Sequence, residues 1–96
     1  MRDMQRMTEL EDFYGYTRDP EKKAKYRDEL VGLLEEKIRL SYNKAQRLQM
    51  MYRLAEIELK EEDYDRAAEL LEEIATQGNT LGVAGQAQQL LGRLSR

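Results

Sequence analysis

Nineteen aspartates and glutamates, sixteen lysines and arginines and six tyrosines must carry any chemistry in this 96-residue chain, which has no histidine and no cysteine. Nucleophilic triads and proton relays near neutral pH lean on an imidazole or a thiol. A carboxylate pair can act as acid and base only where two are set apart by their surroundings. Here the acids are spread at the spacing of a solvated helix face, and no pair stands out. A zinc site would have to be assembled from carboxylates alone, against the metal's preference for nitrogen and sulfur. A carboxylate-bridged site in a helical bundle asks for Glu-x-x-His. No Walker-type loop occurs, and Gly78 and Gly82 do not form a phosphate cradle. The expectation is a protein that is not an enzyme, with no cofactor, no metal and no catalytic residue.

Charge instead points to contacts. From Lys37 to Arg53 there are five bases (Lys37, Arg39, Lys44, Arg47, Arg53) and no acid. From Glu58 to Glu73 there are eight acids (Glu58, Glu61, Glu62, Asp63, Asp65, Glu69, Glu72, Glu73) against Lys60 and Arg66. The plain reading is balance between neighbouring solvated faces. The sharper ones are complementary self-association, or an acidic partner on the basic stretch. Nucleic acid is disfavoured by a net charge of −3 and by a basic run without glycine-rich or aromatic RNA motifs, although Tyr42 and Tyr52 flank it. No apolar run approaches the length of a membrane span. The first ten residues are polar and carry Asp3 and Glu9, unlike a signal peptide. No membrane partner and a cytoplasmic location are expected.

The elements that must position these groups are helices. Met51, Leu54, Ala55 and Leu59 fall on one stripe of a 3.6-residue period, and Tyr64, Ala67, Ala68, Leu71, Ile74 and Ala75 restart it after a break at Glu61–Asp63. Asp63 is placed to cap the second of these helices, with Asp65 in its first turn. So short a connection leaves the two antiparallel and in contact. Upstream, Asp19-Pro20-Glu21 opens a helix whose buried face is Ala24, Leu30, Val31, Leu34 and Ile38, with Tyr26 and Leu33 alongside. Glu21–Lys25 and Glu35–Arg39 support it as i,i+4 pairs. Before it, Met4, Met7, Leu10, Phe13 and Tyr14 mark a first helix, with Gly15 as its stop. Thr8 and Glu11 offer a second possible start. Its methionines read as soft packing, with a Met-rich binding face as the alternative. Ser and Asn in Ser41-Tyr42-Asn43 favour a turn, so a third helix is expected from about Asn43 to Lys60. With no Gly or Pro there, the alternative is one rod over residues 20–60 of about 60 Å. Ala45 and Leu48 are expected to point inward. Gly78 is a stop, Asn79 or Thr80 a cap, and Leu81, Ala84, Ala87, Leu91 and Leu94 the buried face of a last helix. Gly82 and Gly85 there leave room for close approach. The fold class is all-α, with about five helices near 2–14, 20–40, 43–60, 64–76 and 80–94.

The segment at about residues 48–79 resembles a tetratricopeptide repeat (TPR). Met51 stands for the bulky residue opening the first helix, Leu54-Ala55 for the Leu-Gly/Ala pair and Asp63-Tyr64-Asp65 for the Asp-Tyr-Asp turn. Ala67 stands for the small residue at the crossing, and Leu71 and Ile74 for the packing positions of the second helix. The small Ala55 and Ala67 let the backbones approach, with Leu54, Tyr64 and Leu71 filling the space between. Glu62 departs from the pattern, where the family usually has Gly, which implies a strained or reshaped turn. Glu58 replaces a common aromatic, and no proline closes the unit. Ala84 to Gly92 looks like the first helix of a further repeat, with Leu91-Gly92 as its Leu-Gly pair. The resemblance implies stacked antiparallel hairpins within one domain, 1–96. A divergent helical pair covers 1–42, the TPR-like hairpin 43–79 and a capping helix 80–96.

The resemblance further implies a protein–protein interaction module. Its groove would be lined by the first helix of the hairpin through Gln49, Tyr52, Glu56, Leu59 and Lys60. Tyr52 leads these as an aromatic anchor, against the plainer reading that it packs on the second helix with its hydroxyl in water. A structural homo-oligomer is the alternative, since repeat units rarely bury a core alone and the last helix would leave apolar surface for a second copy. Weak nucleic-acid binding through 37–53 comes third.

Overall fold

Five helices are present in the computed structural model, which describes residues 2–77 and 82–94: α1 (Arg2–Tyr16), α2 (Pro20–Leu40), α3 (Lys44–Lys60), α4 (Tyr64–Gln77) and α5 (Gly82–Leu94). Each follows from local chemistry. The Asp19 carboxylate accepts from the backbone N–H of Glu21 and Pro20 fills the first position of α2, where a missing N–H costs nothing. Asn43, in extended conformation, caps α3 by accepting from the N–H of Gln46 at 3.1 Å. Asp63 caps α4 by accepting from the N–H of Arg66 at 3.3 Å. Residues 20–60 are therefore two helices, parted by capping side chains with no glycine or proline in the break.

Two boundaries differ from the sequence reading. Gly15 does not stop α1: the helix continues through Tyr16, and no described glycine has a positive φ. A helix interior tolerates one glycine at about 1 kcal/mol, and the N–H of Thr17 still bonds the carbonyl of Phe13 at 3.0 Å. Nor does α1 begin at Thr8, since its helical turns run from Arg2. The expectations for the Met4 side chain and for Gly78, Asn79, Thr80 and Leu81 lie outside the described residues.

The α3–α4 turn requires a left-handed residue. The N–H of Asp63 bonds the carbonyl of Glu58 at 2.9 Å, and that of Glu62 bonds the carbonyl of Leu59 at 3.1 Å. Together these make a Schellman motif, whose penultimate residue must be left-handed. That residue is Glu62, at φ 63°, a positive φ that no other described non-glycine residue adopts. A β-carbon is disfavoured there. Glu62→Gly is expected to raise stability by about 1 kcal/mol and the melting temperature by about 5 °C. A thermal melt followed by circular dichroism checks this, and a fall on substitution would contradict the turn as described.

Each helix packs on the next in sequence, and α3 also touches α5. The result is a slab of 37 × 34 × 17 Å. Its core joins Met7, Leu10 and Tyr14 from α1, Leu30 and Leu34 from α2, Leu48, Met51, Leu54 and Ala55 from α3, Leu70, Leu71 and Ile74 from α4, and Ala87 from α5. Ala55 and Ala67 are fully buried, as a close crossing of α3 and α4 requires.

Other side chains depart from expectation. Tyr64 does not fill the space between the helices: as the first residue of α4 it is 52% exposed. Ala45, expected inward, is exposed because it shares the face of Gln49 and Tyr52. Gly82, Gly85 and Gly92 face open space where a β-carbon would sit, so the close approach of α5 rests on buried Ala84 and Ala87. Leu90, Leu91 and Leu94 are partly buried against the core and leave no large apolar patch among the described residues of α5.

Candidate partner-binding site

One face of α3 is not covered by its neighbours. Ala45, Gln49, Tyr52, Arg53, Glu56 and Lys60 recur along it at helical spacing. Two cavities adjoin on this face. One, of about 450 Å³, lies against the first turns of α5 and is lined by Ala45, Gln49, Tyr52, Arg53, Glu56, Gly82 and Gln86. The other, of about 320 Å³, lies against α1 and is lined by Glu11, Asp12, Tyr14, Leu30, Arg53, Glu56, Ile57 and Lys60. Arg53 and Glu56 belong to both, so the two form one furrow across α3 from α5 to α1.

The structure thus brings together Gln49, Tyr52 and Glu56 and places Lys60 in the adjoining half. Leu59 lines neither cavity: it is half-buried in the last turn of α3, where its carbonyl serves the turn motif. Tyr52 both packs on the core and faces the furrow. It is half-buried, with part of its surface left to the furrow. Burial first, and then the Glu56 carboxylate, push its phenol above the usual value, with Arg93 of α5 pulling the other way. Tyr52 therefore keeps its proton as a donor at physiological pH.

The α1 side is held by polar contacts that single-stretch reading could not anticipate. Arg53 pairs with Glu11 at 3.3 Å, tying α3 to α1 across the furrow. At its end the buried Tyr14 hydroxyl donates to Glu61 Oε2 at 2.7 Å, and Arg27 of α2 donates to the other carboxylate oxygen. The ammonium groups of Lys23 and Lys60 lie 5.0 and 5.9 Å from the centre of the Tyr14 ring, within cation–π range. The Tyr14 hydrogen bond and then Arg27 hold the Glu61 carboxyl below its usual value. Burial, followed by Glu61, pushes the Tyr14 phenol well above its own. Nearby, burial and Asp63 raise the Glu58 carboxyl.

Arg53, Ala45 and Gln86 were missed as lining residues. The run Ala45, Gln49, Arg53, Glu56, Lys60 was a readable signal for the α3 members. The α5 member depends on how α5 crosses α3, which no local pattern encodes. Among the described residues, no three His, Cys, Asp or Glu side chains group as metal ligands would. No described helix is long and apolar enough to cross a membrane.

Compared with family models, with curated proteins and with solved structures, the chain finds no match.

Proposed function

We infer that this chain is a non-catalytic interaction module of TPR-like type, taking a peptide or protein segment in the furrow across α3. The observation carrying this is the convergence of Gln49, Tyr52 and Glu56 on one cavity with Gln86 of α5. An amide, a phenol, a carboxylate and a second amide, arrayed over more than one helix, suit a peptide backbone and its polar side chains. An aromatic edge beside them supplies apolar contact. The TPR resemblance of 48–79, the left-handed residue where that family has glycine and the buried alanines at the crossing support the same view. A cytoplasmic location belongs to this proposal and is open to cell fractionation.

Tyr52→Ala is expected to weaken partner binding by about 2 kcal/mol, roughly 30-fold. Affinity capture from a lysate of the source cells, comparing wild type with Tyr52→Ala and Gln49→Ala, identifies the partner, and titration measures the loss. Undiminished capture by a folded Tyr52→Ala protein overturns the furrow as the site.

A further inference from the structure

We propose that copies of this chain associate end to end, the acidic turn before α4 of one copy docking on the basic corner between α2 and α3 of the next. This uses surfaces separate from the α3 furrow. The starting observation is where the leftover apolar surface lies. The five large apolar side chains that stay exposed among the described residues are Phe13, Tyr16, Leu40, Tyr42 and Tyr64. All five lie at or near helix ends: the end of α1, the end of α2, the α2–α3 turn and the start of α4. Contacts from Glu61 to Tyr14 and Arg27 show that the end of α1, the start of α2 and the α3–α4 turn share one edge of the slab. Leu40 and Tyr42 lie at the other end of α3, some 25 Å away for a helix of 17 residues.

The two edges differ in charge, and each carries exposed apolar groups. At the corner, Glu36, Lys37, Leu40, Tyr42, Gln46 and Met50 line a cavity of about 380 Å³. Tyr42 is fully exposed and Leu40 56% exposed, while Met50 forms a buried floor. Lys44 follows the corner in sequence and is exposed, and no acid interrupts the sequence from Lys37 to Arg53. Arg39 and Arg47 lie on the α4 side, in a cavity shared with Glu35 and Glu73. At the opposite edge Tyr64 projects, 52% exposed, between exposed Glu62, Asp63 and Asp65. The neighbouring start of α2 carries Arg18, Lys22 and Lys23 against Asp19 and Glu21, and Lys60 and Arg66 flank the turn, so the negative charge is confined to Glu62, Asp63 and Asp65. An aromatic ring set in acids stands opposite a mixed hollow of Leu40, Tyr42 and Met50 in which Glu36 is the one acid, and both are carried by the same chain. Opposite charges steer such an approach and fix its register. Because the two surfaces differ and sit at opposite ends, each copy that docks leaves one free end of each kind. The contact is heterologous and builds a row.

Sedimentation and light scattering over a micromolar-to-millimolar range test this. In low salt the average mass should climb continuously from 11.3 kDa, and in molar salt it should fall back to that value. Leu40→Ser/Tyr42→Ser and Tyr64→Ser alter exposed positions and leave the fold intact. Each variant alone should stay at 11.3 kDa, and their mixture should form a one-to-one pair and grow no further, since each retains one live end. Tyr52→Ala should assemble like wild type, which separates this contact from the furrow. A wild-type protein that remains monomeric throughout, a dimer that saturates and ignores salt, or a mixture that fails to pair would each overturn the proposal.

Discussion

Replacing Leu71 with alanine lowers the free energy of unfolding by about 3 kcal/mol and the melting temperature by about 15 °C. Leu71 is fully buried in α4, in the cluster that joins Leu54 and Ala55 of α3 to Ile74. Truncation removes its transfer free energy and leaves a cavity that the surrounding helices cannot fully close, because each is also held by its next neighbour. The loss is a large share of the stability of a chain this size. Leu40→Ala, at a position 56% exposed, should fall within about 0.5 kcal/mol of wild type. Urea denaturation of the two variants measures the contrast. Similar losses for both would contradict the burial pattern on which the α3–α4 pairing rests.

Glu61→Ala is expected to cost about 2 kcal/mol, since it strips the buried Tyr14 hydroxyl and the Arg27 guanidinium of their shared acceptor. Both charged partners are part-exposed, so Coulomb attraction alone would give less than this; the unsatisfied hydroxyl is the larger part. The pH dependence follows from the two shifts. The Glu61 carboxyl is held below its ordinary 4.5. Its stabilisation is therefore complete above about pH 4.5 and is lost as the pH falls through the lower folded value. The Tyr14 phenol is raised above its ordinary 10.0. The folded chain keeps that proton while the unfolded chain releases it, so stability declines as the pH rises past about 10. Denaturation across pH should show the gap between wild type and Glu61→Gln closing on the acid side. Tyr14→Phe should flatten the alkaline decline. A gap that persists unchanged to the lowest pH at which the protein folds would remove Glu61 from the network.

How far the sequence spoke depended on the range of the interaction. The five helices, the caps at Asp19 and Asp63, and the small residues Ala55 and Ala67 rest on spacing within one turn or one helix pair, and all were readable. The α2–α3 break was the expected reading, with one continuous rod kept as the alternative, because no Gly or Pro enforces it and Asn43 does so through one side-chain bond. Gly15 misled because a glycine near a helix end looks like a stop whether or not the backbone turns left-handed. Tyr64 misled because the stripe counts it inward, whereas its position at the first residue of α4 leaves no neighbour on the core side to receive the ring. Of the furrow, Gln49, Tyr52 and Glu56 were placed together by resemblance, and Lys60 beside them. The Tyr14–Glu61–Arg27 cluster joins residues 47 and 34 positions apart, and only the assembled slab shows it.

The order of contacts in the slab bears on how the chain reaches it. Every helix leans on the one made just before it, and the connections described between them are three residues long. Little entropy is spent closing loops before a contact rewards it. A polypeptide of this kind can consolidate helix by helix from its amino-terminal end as it leaves the ribosome, without waiting for a distant segment to arrive.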